Sequence, residues 1–454
     1  MLTILLTRKQ NSYIINMFPK KQNINLKGES LIMQKKAKFS RDFLLVAIGQ
    51  IISLFGNQIL RYALPLYLLN QTGSSVLFGT ILAFSFIPMI LLFPVGGIIA
   101  DRFNKRNIMV ILDFSTAILI IMFYFMAGII DIVPLMGITM VLLYGIQGAY
   151  QPAVQASIPV LLDTEYIMEG NSVVDLINSL ANMVGPVIGG ILYSVVGLSP
   201  ILYVSIGCFF ASAVMEIFIH IPFEKKKRKG NMFLSGFNDL KESFNFIFKV
   251  KPTLWRVSLI YAALNLFLSS LILIGVPIVI TQHLGFAPNI ANRLYGYAQG
   301  IIATGSIIGG LLAGVLSKKI KLKASPFLLI GCALSMLIGG VALHILRGSM
   351  EKYIILLSGC AIVMALLTLF SIQIMTYIQI STPIDLTGKV ISCVMCVCMC
   401  TIPLGQFIYG IVFEKIGNSS YIPFYVSSFI VIVISIFTGH IFYGIDGLKE
   451  QQSN

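Results

Sequence analysis

The sequence predicts an all-α integral membrane protein of twelve transmembrane helices in two six-helix repeats. Three observations predict it. Of 454 residues, 57% are hydrophobic and only 11% are charged, against about 25% charged in a soluble domain. The apolar residues gather in runs of about 20 to 27, each long enough for a hydrocarbon core of about 30 Å. The cations, which give a net charge of +14, sit in short clusters between those runs. That is the pattern of topology signals rather than of a basic face for nucleic acid, so no nucleic-acid partner is expected.

Residues 1–42 precede the first span. Met1 to Ser40 mixes Arg8, Lys9, Lys20, Lys21 and Lys27 with Asn, Gln and Ile, and its apolar patches are too short to cross a bilayer. A disordered tail is expected. Lys27-Gly28-Glu29 can be encoded by a purine-rich ribosome-binding sequence, which makes Met33 a candidate translation start beside Met1.

The spans then follow as Phe43 to Leu69, Val76 to Ala100, Asn107 to Ile130, Pro134 to Leu161, Ser172 to Val196 and Pro200 to Ile221. The second set is Trp255 to Gln282, Leu294 to Leu316, Ala324 to Leu346, Tyr353 to Ile380, Lys389 to Phe413 and Ile422 to Tyr443. One group of connections holds Lys35, Lys36, Lys38, Arg41, Arg102, Lys105, Arg106, the run Lys225 to Lys229, Lys318, Lys319, Lys321, Lys323 and Lys389. The other holds only Arg293, Arg347, Lys352 and Lys415. This asymmetry predicts a cell-membrane protein with both termini in the cytoplasm.

The one long connection, residues 222–252, divides a six-helix bundle at 43–221 from another at 253–443, with a cytoplasmic tail at 444–454. Its Glu224-Lys225-Lys226-Lys227-Arg228-Lys229 run precedes Phe233, Phe237, Leu240, Phe244 and Phe248, a three-to-four spacing that predicts an amphipathic helix on the membrane surface. Gly309-Gly310-Leu311-Leu312-Ala313-Gly314 with Ser317-Lys318-Lys319 repeats Gly96 to Arg106 at a constant offset, as a duplicated bundle would.

Between the second and third spans, Gly97, Asp101, Arg102, Lys105 and Arg106 form a tight polar turn with a single anion among three cations. The aspartate can accept hydrogen bonds from a neighbouring helix N-terminus or pair with an arginine, so the turn can serve as a latch. It resembles the Gly-x-x-x-Asp-Arg-x-x-Arg/Lys-Arg signature between helices 2 and 3 of the major facilitator superfamily. In the fifth span, Gly185-Pro186-Val187-Ile188-Gly189-Gly190 permits close helix contact and softens the helix at proline. Ordinary small-residue packing accounts for it equally well on these grounds. The pattern resembles the Gly-Pro-x-x-Gly-Gly motif of the antiporter branch, associated with export, and together with Gln151-Pro152-Ala153-Val154-Gln155-Ala156-Ser157-Ile158-Pro159 and Leu68 to Ser74 the chain is similar to macrolide-efflux type permeases. The resemblance implies the major facilitator fold, in which helices 1, 4, 7 and 10 line the cavity.

Charges inside spans are functional candidates. Arg61 lies late in the first span, Asp113 early in the third, Asp175 early in the fifth and Glu216 late in the sixth. The resembled fold makes Arg61 a cavity group and makes Asp113 and Glu216 structural partners of cytoplasmic cations. Asp175 and Asp113 are the candidates for proton coupling. Uncharged polar residues are costly against lipid, which nominates Asn57 and Gln58, Gln147, Gln151 and Gln155, Asn265, and Gln373, Thr376 and Gln379 for cavity or interhelix positions. Cys393, Cys396, Cys398 and Cys400 imitate metal spacing but fall on different faces of one helix, so no metal is expected.

Without a nucleotide loop, a dinucleotide fingerprint or a hydrolytic triad, no enzyme and no cofactor are expected. The expected function is proton-coupled efflux of drug-like or amphipathic small molecules by a monomer in the bilayer. Two alternatives stay open: an importer or lipid transporter of the same fold, and a non-transporting receptor or assembly subunit.

Overall fold

The computed structural model describes residues 40–163, 166–222, 245–316, 324–417 and 419–452. The expected disordered tail, the Met33 start, the Lys225 to Lys229 run and the amphipathic stretch through Phe244 lie outside the described residues.

Among the described residues, twelve helices are long and apolar enough to cross a membrane. They are α1 (Arg41–Thr72), α2 (Ser75–Arg102), α3 (Lys105–Met126), α4 (Ile132–Leu161), α5 (Ile167–Val196), α6 (Leu198–Ile217), α7 (Pro252–His283), α8 (Pro288–Leu316), α9 (Ser325–Ile345), α10 (Ser349–Ser381), α11 (Ile384–Ile416) and α12 (Ile422–Gln452). In α7 the regular winding widens into π-helical turns at Asn265–Ser269 and Val279–His283.

Several helices exceed the spans expected from hydropathy. α3 begins at Lys105 rather than Asn107, because Asn104 Oδ1 accepts from the Arg106 amide at 3.0 Å and caps the helix two residues earlier. α5, α8 and α11 likewise begin with polar turns that hydropathy does not detect. α12 runs to Gln452, so the expected tail at 444–454 is helical as far as that residue. At the turn between α1 and α2, Gly73 adopts φ 63°, which closes α1, and Ser74 accepts from the Leu77 amide at 3.2 Å to start α2.

The two halves pack by one plan. In the first, α2 lies on α4, α3 on α6 and α4, and α1 on α5; in the second, α8 lies on α10, α9 on α12 and α10, and α7 on α11. Each pair is matched by the pair six helices later. Two seams join the halves, α5 against α8 and α2 against α11, and these also exchange under the same relation.

The repeated glycine pair shows the duplication at atomic scale. A methyl group on Gly96 would come within 2.8 Å of Ala149 Cα in α4, and one on Gly309 within 2.3 Å of the Ala365 carbonyl oxygen in α10. Close backbone approach is what stabilises helix pairs in lipid, where burying apolar surface contributes little. The second glycine of each pair, Gly97 or Gly310, faces open space: an added Cβ would meet nothing within 4 Å.

Candidate functional site

A cavity of about 160 Å³ lies between the halves, lined by side chains of α1, α2, α4, α5, α7 and α8. Its floor is aromatic and its polar groups are few. Arg61 of α1 donates to Gln147 Oε1 of α4 at 3.0 Å, and its guanidinium carbon sits 4.2 Å from the centre of the Tyr144 ring. That contact draws the cation toward the π face. No carboxylate among the described residues lies within ion-pair distance of Arg61. It is eleven residues short of the end of α1, about 16 Å along the axis, its partners belong to α4 and it lines the cavity.

Around it, Gln58 Nε2 donates to Asn182 Oδ1 of α5 at 2.5 Å. Tyr62 stacks on Tyr295 with centroids 4.8 Å apart and planes at 24°, and the Tyr295 hydroxyl accepts from Gln299 at 3.0 Å. The site can therefore hold an apolar or aromatic body while offering one fixed positive charge and several amides.

The cavity is closed at the end of the molecule where α1 meets α2, here called the far end. Tyr62 donates its hydroxyl to the Asn292 carbonyl, and Asn70 Nδ2 donates to Asn292 Oδ1 at 3.0 Å, tying α1 to α8. The Glu414 carboxylate of α11 accepts from the Val76 amide at 3.1 Å and from Ser74 Oγ at 3.3 Å, a negative group at the N-terminus of α2. Gln282 Nε2 donates to the Gly73 carbonyl at 3.1 Å. Two glycine crossings lie beneath these bonds: a Cβ on Gly190 would be 2.8 Å from Gly296 Cα, and one on Gly79 would be 2.9 Å from Gly410 Cα.

The antiporter-like motif therefore has distinct neighbours for each glycine. Gly185 and Gly189 make room for Gln58 and for Tyr62 and Ile59 of α1, while Gly190, with the Pro186 carbonyl, receives Gly296 of α8. At the opposite, basic end, Arg106 donates to the main-chain oxygens of Glu216, at 3.4 Å, and Ile217, while Asn104 reaches the Ile221 carbonyl at 3.4 Å. The last motif cation thus holds the end of α6. Asp101, Arg102 and Lys105 occupy the α2–α3 turn beside it, and the Asp101 side chain lies outside the described residues.

The remaining candidates divide. Gln151 and Asn57 are half-buried, and Gln155 is exposed on α4. Asn265 is buried in the first wide turn of α7, where its Oδ1 accepts from Ser269 at 3.1 Å. Gln373 is turned to α9, accepting from Ser325 at 2.8 Å, and the Thr376 hydroxyl bonds its own helix at Ile372. None of these six residues lines the cavity. Of the acids, Asp175 is exposed on α5. Asp113 and Glu216 were expected to partner cytoplasmic cations; their carboxylates instead accept from hydroxyls, of Ser53 at 3.0 Å and of Tyr150 at 2.7 Å. Cys393 and Cys398 are buried while Cys396 and Cys400 are exposed, and no metal-binding group occurs among the described residues.

Sequence reasoning missed Tyr62, Tyr144, Asn182, Asn292, Tyr295, Gln299 and Glu414. The polar signal was present for Asn182 and Gln299, each inside an apolar span; the tyrosines were indistinguishable from packing residues.

The sequence model of the Major Facilitator Superfamily matches residues 46–403. An uncharacterised MFS-type transporter, YfiS of Bacillus subtilis (strain 168), is 24% identical over 395 residues, covering 86% of this chain and 90% of its own. Macrolide efflux protein A of Streptococcus pyogenes is 23% identical over 414 residues, covering 89% and 96%. The crystal structure of a bacterial homologue of the iron transporter ferroportin superposes with a TM-score of 0.68 at 15% identity, covering 88% of this chain and 98% of that one.

Proposed function

The chain belongs to the Major Facilitator Superfamily, and on that premise we propose that it exports amphipathic organic compounds in exchange for protons by alternating access. The observation that carries the reading is the cavity between two repeats, latched at the far end, with the one cation Arg61 over an aromatic floor. The likeness to macrolide efflux protein A supports a bulky amphipathic substrate. About 160 Å³ is below the roughly 300 Å³ of a drug-sized site. The enclosed part would hold one end of such a molecule, with the rest lying toward the basic end.

In this reading the protein is a monomer in the cell membrane with the basic end in the cytoplasm, as the cation asymmetry requires. The Gly97 to Arg106 turn would latch the basic end when the far end opens, and the Gly185 to Gly190 motif would carry the moving contact with α8. An added cysteine at Gly73 or Asn289 is expected to react with an impermeant reagent from outside, and one between Lys225 and Lys229 is not. Reversed accessibility would overturn the orientation and the direction of transport with it.

The deciding experiment is expression in an efflux-deficient host challenged with macrolides and other amphipathic toxins, followed by flux in proteoliposomes. Raised tolerance with proton-driven extrusion is expected. Net accumulation would make it an importer, and no flux of any compound would remove the transport reading.

A further inference from the structure

Away from the cavity, four helices of the first half enclose a second polar cluster. Asp113 of α3 is 2% exposed, and Glu216 of α6 and Gln50 of α1 are 0% exposed. Tyr150 of α4 donates to Glu216 Oε1, Ser53 donates to Asp113 Oδ1, and Ser212 donates to the Gly49 carbonyl at 3.1 Å. Four polar atoms are then left without a hydrogen-bond partner: Asp113 Oδ2, Glu216 Oε2 and both amide atoms of Gln50. Gln50 follows Gly49, where an added Cβ would lie 3.6 Å from the Glu216 side chain, so the buried amide sits at the level of the cluster.

No cation among the described residues pairs with these carboxyls. The nearest charged group on α3 is Arg106, and its guanidinium is spent on the main-chain oxygens of Glu216 and Ile217. On α1, Asp42 accepts from the His220 amide beyond the end of α6, and Arg61 donates to Gln147 over the Tyr144 ring. α4 presents Tyr150, and α6 presents Glu216 itself. Two buried carboxyls without a counter-ion, each with an unsatisfied oxygen, are costly unless something binds there. A proton on Asp113 Oδ2 or Glu216 Oε2 turns that orphan acceptor into a donor, and the Gln50 amide supplies both a complementary acceptor and a complementary donor. A metal ion fits less well, since no group of three or more His, Cys, Asp or Glu occurs among the described residues and the tyrosine and Ser53 hydroxyls are already donating to the carboxylates.

We propose that Asp113 and Glu216 form a proton-binding site, with Gln50 and Tyr150 as its positioning residues. The proton comes from water at the basic end, since Asp113 is eight residues into α3, about 12 Å by helical rise, and Glu216 is one residue from the end of α6. It binds a carboxylate oxygen and leaves by the same bond breaking. The site is joined to the substrate cavity by two helices: α1 carries Gln50 and Ser53 as well as Arg61, and α4 carries Tyr150 three residues after Gln147. Displacing the Arg61–Gln147 pair shifts α4 against α1 at the cluster, and this coupling, unlike the binding itself, rests on the exporter reading.

The test is infrared difference spectroscopy of the purified, substrate-free protein between acidic and alkaline sodium-free buffers. A carboxyl band that titrates is expected in the wild type, lost or halved in Asp113→Asn and in Glu216→Gln, and shifted in frequency in Tyr150→Phe. An unchanged band in both acid variants overturns the site, as does a band that responds only when sodium is added. Folding of each variant is checked by its melting profile, and Glu216→Gln serves if Asp113→Asn does not fold. In proteoliposomes, proton-driven uptake of a labelled macrolide should fall at least tenfold in Glu216→Gln while exchange without a gradient stays within twofold. Loss of exchange together with driven uptake overturns the coupling. Absence of exchange in the wild type defeats the macrolide reading alone, and the infrared result still decides the proton site.

Discussion

The far end and the basic end of the same helices are built for opposite tasks. At the far end α2 and α11 cross with Gly79 and Gly410 closer than a methyl group allows, and Glu414 sits on the start of α2. At the basic end of α2, Gly97 meets nothing, and its repeat Gly310 meets nothing either. One end is closed by backbone contact and the other has the small residues but not the contact. The difference teaches that glycine in this chain occurs in two settings: filling a crossing, as at Gly96 and Gly190, and leaving a surface clear, as at Gly97 and Gly310.

Substitutions at the two kinds of glycine sharpen that comparison most. Gly190→Val places carbon atoms against Gly296 and the Asn292 carbonyl, and overpacking of this kind costs about 1–3 kcal/mol. Far-end closure should weaken by roughly 5- to 150-fold, with transport lost and cysteines beneath the crossing newly open to impermeant label. Gly97→Val should leave this conformation intact while transport fails. Normal far-end protection and normal flux in both variants would break the comparison.

Next in size is Asp101→Asn. It removes the one anion of the α2–α3 turn, and a charge-assisted hydrogen bond contributes about 1.5–3 kcal/mol, so transport should fall by about tenfold or more with membrane insertion unchanged. Wild-type flux would remove the latch from the basic end.

Arg61→Gln tests whether the space between the two ends is a binding site. It keeps one hydrogen bond toward Gln147 and loses the charge over Tyr144, a contact of about 0.5–2 kcal/mol. Counterflow of labelled substrate should drop several-fold, with Arg61→Lys intermediate because it loses the planar fork. Equal counterflow in all three proteins would deny Arg61 a role. The smallest effect belongs to Glu414→Gln, an exposed group whose bonds are screened by water. Spin-label distances between the α1–α2 and α11–α12 turns should show a two- to fivefold gain in the far-end-open population, and an unchanged distribution would make the glycines alone responsible for closure.

Much of the architecture was legible because it depends on composition. Twelve spans, their two-fold repetition and the glycine pair at Gly96 and Gly309 follow from hydropathy and from a repeated motif, and Gln147 was nominated beside Arg61 because polar groups in lipid must find partners. Individual site residues were less legible. Gln373 and Asn265 obey the same rule as Gln147 but find their partners in Ser325 and Ser269, within one half. A polar residue inside a span announces that it needs a hydrogen bond, and nothing in its identity says whether the partner is a ligand or another helix. Glu414 was hidden for a different reason: near a span end it reads as a surface charge, and its role comes from the start of a helix 338 residues earlier. The helix ends at Lys105, Ile167 and Gln452 were displaced because polar turns continue a helix after hydropathy has stopped, with a side-chain cap from Asn104 at the first of them.

The two glycine crossings also define a mechanism in the engineering sense. A rigid body held at one point can swivel in any direction, whereas one held at two can only turn about the line that joins them. Gly79–Gly410 and Gly190–Gly296 are two such points, each too close for one helix to slide past the other without a backbone collision. Were both points to hold while the halves move, the line through them would be an axle, and the motion would reduce to a single angle that opens or closes both seams together.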